Sequence, residues 1–166
     1  DAIRAGLAAR GLRNGYVTAD GSDWFLDDLV NKARAEGKEL DMEQLKRLYI
    51  AMHLSGAEYA DDLAKRTIGR SPAHVMLMHE TDIAALFLPD MVAELRRHGW
   101  TIISADEAYK DRLKDAFPDT PNARGNLIGA MAWEKDIKPS MWPVWIGTSI
   151  AGPWFENRVV KKAAKP

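Results

Sequence analysis

The run His74-Val75-Met76-Leu77-Met78-His79, bounded by Ser71-Pro72 and Thr81-Asp82, constrains the fold more than any other stretch. A short apolar run between turn residues suits a buried strand, the kind found in a sheet covered on both faces. Pro89 then fits the first turn of a helix through Val92, Leu95 and Arg96 that Gly99 stops, and Trp100 to Ile103 follows as a second strand. Strand, crossover helix and strand make a βαβ unit, which joins parallel strands. Upstream, Ile3, Leu7 and Leu12 mark a helix from Asp1 to Arg10 with Gly11 as its cap. Tyr16, Val17 and Thr18 then make Leu12 to Ala19 a strand. A helix-strand pair ahead of a βαβ unit predicts an α/β fold, a piece of a parallel sheet or distorted (β/α) barrel.

Between these parts, the loop Asp20-Gly21-Ser22-Asp23 leads into a helix from Trp24 to Ala35 with Phe25 and Leu29 at helical spacing, ended by Gly37. Asp41 caps a longer stretch with Met42, Leu45, Leu48, Tyr49 and Met52 on one face. An interruption near Ser55-Gly56, with resumption to Thr67, reads as two helices. After Tyr109 the prolines Pro118, Pro121, Pro139, Pro143 and Pro153 break the pattern around one helix, Leu127 to Glu134, with Trp133, Trp142, Trp145 and Trp154 interleaved. Residues 1–109 therefore read as one unit and 110–166 as an irregular extension wrapping it, with a frayed basic end at Lys161-Lys162-Ala163-Ala164-Lys165.

Charge narrows the partners. The 23 basic and 24 acidic residues are mixed along the chain, so there is no broad basic field for a phosphate backbone, and no nucleic-acid partner is expected. No run approaches the roughly 18 apolar residues that a membrane span needs. With no cysteine, disulfides, thiolate metal sites and cysteine nucleophiles are excluded. Asp1 falls inside a helical pattern, which reads as a chain entered midway, with any export signal upstream.

On a strand alternate residues share a face, so Leu77 and His79 point one way and His74, Met76 and Met78 the other. His79 is the last residue before the loop Glu80-Thr81-Asp82, and in a parallel barrel that rim carries the chemistry. A strand-end histidine is otherwise a half-exposed structural residue. Asp23 and Trp24 follow the preceding strand and share the rim if the two strands are parallel neighbours. Read from spacing alone, Asp23 is a helix cap and Trp24 covers the core; the alternative sets the Asp23 carboxylate to hold and charge the His79 imidazole. His53, His74, His79 and His98 include no pair spaced i, i+4 on one helical face, and neither a Gly-rich phosphate loop nor Gly-x-Ser-x-Gly occurs.

Two blocks in order carry a resemblance. Arg10-Gly11-Leu12-Arg13-Asn14-Gly15-Tyr16-Val17-Thr18-Ala19-Asp20-Gly21-Ser22-Asp23-Trp24 is followed by the His74 to Glu80 strand, Leu86 to Gly99, and Trp100 to Ala108. Together, over residues 1–109, they resemble the C-terminal half of the polysaccharide deacetylase family, the NodB-homology domain of the carbohydrate esterase type. Its later blocks end in Asp-Trp and in Leu-x-His, the latter leading to a Gly-aromatic turn and an acidic-Glu-Ala element. The resemblance implies that His79 is the general acid that protonates the departing amine and Asp23 the carboxylate that orients it. It further implies that Leu77 lines the pocket for the acetyl methyl and that Trp24 forms one wall.

The departure from the family pattern matters equally. Family members also carry an Asp-Asp pair on the first strand and two metal-ligating histidines in a His-x-x-x-His block, neither of which this chain holds. Asp27-Asp28 and Asp61-Asp62 lie in helical patterns after the wrong blocks. The expectation is a metal-dependent deacetylase of N-acetylated polysaccharide in which this chain supplies the acid-histidine half. The divalent metal, zinc by resemblance, would be bound by residues outside this chain, on the N-terminal half of the same domain. This chain alone is expected to be inactive; the family places such enzymes in the cell envelope or periplasm. The alternatives are a glycan-binding or scaffold module using the tail tryptophans, and an amidohydrolase acting on a non-sugar amide.

Overall fold

Periodic apolar residues and well-placed caps make the chain mainly helical. The computed structural model describes residues 2–12, 15–120, 125–138 and 148–161. Helix α1 spans Ala2–Ala8, strand β1 Ala19–Asp20, α2 Asp23–Ala35, α3 Met42–Ile68, strand β2 Met76–Leu77, α4 Asp82–Arg97, α5 Ala105–Ala108, α6 Leu127–Glu134 and α7 Thr148–Trp154. β1 and β2 pair in parallel, Ala19 opposite Met76 and Asp20 opposite Leu77, which with the surrounding helices is an α/β arrangement.

α3 is the spine. The Asp41 side chain accepts the main-chain N–H groups of Glu43 and Gln44, and Gly69 ends the helix at a φ of 75°, a conformation only glycine takes freely. No break occurs at Ser55-Gly56: the two helices expected there are one. Gly56 and Ala57 are buried inside it, so the small residues mark close packing, and tertiary contact outweighs the weak helix propensity of glycine. The first half of α3 gives Leu45, Leu48, Tyr49 and Met52 to a core shared with Leu26 and Val30 of α2 and Ile83, Phe87 and Met91 of α4. Its second half gives Leu63 and Ala64 to a separate cluster with Tyr16, Leu113, Ile128 and Ala132.

Four expectations about the strands and α4 are corrected. Trp100 to Ile103 is not a strand, because it has no ladder partner among the described residues; Ile102 and Ile103 stay 45% exposed. A strand needs a neighbour to take its N–H and C=O groups. β1 takes up only Ala19 of the stretch expected from Leu12 to Ala19, of which residues 13–14 lie outside the described residues; Val17 and Thr18 bond instead to Leu127 and Val75 outside the ladder. Of the buried strand expected over His74 to His79 only Met76–Leu77 pairs, and Leu77 is exposed because no second layer covers it among the described residues. α4 begins at Asp82 rather than near Pro89, since the Thr81 hydroxyl caps it through the Ala84 N–H. Pro89, mid-helix, cannot donate to the Ala85 carbonyl, but both residues lie on the exposed face, so that carbonyl is not sealed in the core.

Beyond Tyr109, α6 forms where expected, capped by Asn126. Pro153 does not break the chain but lies inside α7, which runs on into a π-helical turn, Phe155–Val159. Ala151, Phe155 and Val159 are fully buried in the core built on α2, α3 and α4. Trp142, Trp145, Pro121, Pro139, Pro143 and the basic end past Lys161 fall outside the described residues.

One polar knot fixes the approach to β2. Asp111 accepts both Nη groups of Arg70 at 2.8 and 2.6 Å, and also the N–H groups of Ala73 and Leu113. These four charge-assisted bonds hold its carboxyl far below the usual carboxylate range, the Arg70 bonds contributing most. A depressed carboxyl contributes stability above its unfolded-state pKa, and that contribution disappears only as pH falls through the folded value. Asp111→Ala is expected to destabilise the fold by about 2–4 kcal/mol, because two backbone donors and a guanidinium lose their acceptor. Urea unfolding of the variant near neutral pH measures it; a loss under about 0.5 kcal/mol would count against this role.

Candidate functional site

The β1–α2 loop and the end of β2 meet at one carboxylate. The Asp20 side chain accepts the Ser22 N–H at 2.6 Å, a tight turn that carries Ser22 into the left-handed region at a φ of 52°. Ser22 precedes α2 without capping it through its side chain, and the cap reading of Asp23 is corrected: Asp23 is the first helical residue. Its Oδ1 accepts from the main-chain N–H of Trp24 and from His79 Nδ1–H, and its Oδ2 from the main-chain N–H of His79 at 2.7 Å. The carboxylate is 0% exposed. A buried charge survives only when hydrogen-bonded, and three donors together with the N-terminal end of α2 supply what water would have.

The Oδ1 to Nδ1 distance is 2.7 Å. A carboxylate oxygen accepts only, so Nδ1 carries the proton and Nε2 is left uncommitted among the described residues. The Asp23 bond outweighs desolvation and raises the His79 pKa above its ordinary 6.5. The His79 side chain is 45% exposed, so a substrate can reach it. Because the folded pKa is raised, the charged pair stabilises the fold fully below about pH 6.5 and loses that contribution as pH rises through the folded value. The melting-temperature difference between wild type and His79→Gln is therefore expected to narrow from pH 6 to pH 9; a constant difference would show that the pair does not charge.

Leu77 lies opposite Asp20 in the strand pair and is exposed, and Trp24 is exposed with its ring in edge-type contact with that of Phe25. The structure thus brings Asp23 and His79 into direct contact and puts Leu77 and Trp24 on the same two elements. Only the His79 end of the pair faces solvent, Asp23 being buried, and the groove of about 1430 Å³ between α1 and the Lys114–Pro118 segment contains none of these four residues. His74 has different partners, Thr18 Oγ1 at 3.0 Å and Asp61 of α3 at 3.4 Å, and burial lowers its pKa. Among the described residues no three His, Asp or Glu side chains converge as a metal site.

Sequence reasoning passed over His53 and Tyr49 as members of the site. Both are fully buried on α3, with ring centroids 4.2 Å apart. His53 Nδ1–H donates to the Tyr49 carbonyl at 2.8 Å, while His53 Nε2 and the Tyr49 hydroxyl find no hydrogen-bond partner among the described residues. Each such orphan costs about 1–3 kcal/mol. Burial keeps the His53 pKa low and pushes Tyr49 up to about 12, with the negative charge of Asp23 acting on both. The signal was legible: His53 follows Tyr49 by one helical turn in the apolar stripe of α3.

Comparison with protein-family models, with curated proteins and with solved structures finds no match for this chain.

Proposed function

We propose that this chain is the acid-histidine half of a deacetylase that hydrolyses the acetamide of N-acetylated polysaccharide, within a barrel of the NodB-homology type. The observation that carries the reading is the Asp23–His79 pair, in which a buried carboxylate holds Nδ1–H at 2.7 Å beside an accessible imidazole. Amide hydrolysis expels an amine only once its nitrogen is protonated. Water adds to the acetyl carbon, the C–N bond breaks, and Nε2–H of His79 gives its proton to the departing nitrogen, yielding acetate and a free amine. Asp23 keeps the donor charged and in one tautomer. Leu77 would meet the acetyl methyl, and Trp24 a face of the sugar.

A divalent metal, zinc in this proposal, would be held by residues outside this chain, on the N-terminal half that the resemblance implies. It would polarise the acetyl carbonyl. Exposed Ile102 and Ile103 support such a partner, as apolar surface that a further layer of the barrel would cover. Acetate release from chitin oligomers by the full-length protein, abolished by chelation and restored by zinc, tests the reading. Metal-loaded protein that releases no acetate would sink it. Trp133, 62% exposed on α6, favours the second reading, a glycan-binding module, which predicts oligomer binding without hydrolysis. No described helix is long and apolar enough to cross a bilayer.

A further inference from the structure

We propose that His53 is a positioning residue for the Asp23–His79 pair, acting as a fixed wedge beneath Gly21. A Cβ placed on Gly21 would lie 2.6 Å from His53 Cδ2, 2.8 Å from Cγ and 2.9 Å from Nε2. Carbon atoms do not approach so closely without something moving. The ring has no room to yield: it is fully buried, its Nδ1–H is bound to the Tyr49 carbonyl at 2.8 Å, and it packs on the Tyr49 ring.

Gly21 lies between the two groups that shape the loop. Asp20 before it bonds the Ser22 N–H, and Ser22 after it holds a φ of 52°. A non-glycine residue keeps that conformation only where its surroundings over-determine it. Asp23 follows directly, and its carboxylate must meet both His79 donors at 2.7 Å. The height of Gly21 above the His53 ring therefore sets where the carboxylate arrives, and a shift of a few tenths of an ångström weakens both bonds. This accounts for a neutral histidine whose Nε2 is buried without a partner among the described residues: the ring serves by its shape and its anchored edge.

The inference rests on reading Asp23 and His79 as the working pair, yet it is tested without substrate. NMR titration of the His79 imidazole in the full chain is compared in wild type, Gly21→Ala, His53→Ala and His53→Phe. Gly21→Ala is expected to move the His79 titration down toward 6.5, its ordinary value, as the carboxylate is pushed away from the ring. His53→Ala, which takes the support from beneath Gly21, is expected to move it in the same direction, and His53→Phe, which restores a flat ring, is expected to bring it back toward wild type. An unmoved titration in Gly21→Ala or in His53→Ala overturns the proposal. Should either variant not fold, the titration of His53→Phe decides: a wild-type value supports the wedge, and a value shifted to 6.5 overturns it. Failure of the deacetylase reading would appear separately, in the acetate assay.

Discussion

His79→Ala in the complete enzyme is expected to lower acetate release about 10²–10⁴-fold, the usual worth of a positioned general acid. The loss should fall on kcat, because the imidazole gives its proton only as the C–N bond breaks. Metal content should be unchanged, since the proposed ligands lie on other residues. Substrates carrying a better leaving group, such as an acetylated aniline, should lose far less, because a weakly basic amine departs with little protonation. Loss of metal in the variant, or equal losses for both substrates, would remove His79 from the role of acid.

The second large effect concerns Asp23. Asp23→Asn keeps the shape but replaces one acceptor oxygen with a donor, whereas three donors now face the carboxylate. If the amide nitrogen turns toward Nδ1, the imidazole must present a lone pair there, and the charged form loses its support. His79 should then titrate at or below its ordinary 6.5, and acetate release near neutral pH should fall by about the same factor as in His79→Ala. Asp23→Ala should also destabilise the fold by about 3–5 kcal/mol, leaving buried donors without an acceptor at a position that is 0% exposed. A His79 titration unchanged in Asp23→Asn, read by NMR, would separate the two residues.

Much of the helical framework was legible because its signals are local. Gly11, Gly37, Gly69 and Gly99 all adopt positive φ, and of these Gly11, Gly37 and Gly99 were read as stops. Asp41 caps α3, and Leu127–Glu134 is a helix with the bounds expected of it. The misjudged elements depended on distant groups. Ser55-Gly56 reads as a break until its close packing is seen, and Pro89 as a start until the Thr81 cap ahead of it is known. Trp100 to Ile103 has strand-like residues but no strand beside it among the described residues.

The site divides in the same way. From the sequence alone, the alternation in His74 to His79 placed Leu77 and His79 on one face, and the loop Asp20 to Asp23 supplied a carboxylate for the same rim. What only tertiary structure decided is the distance: residues 56 apart meet at 2.7 Å, which turns Asp23 from a cap into the partner of an imidazole. It also set His53 beneath Gly21. Spacing along a chain fixes which face a side chain takes, through the 3.6- and 2-residue periods of helix and strand. Separations across the fold depend on how whole elements pack, and hydrogen bonding, desolvation and pKa follow those separations.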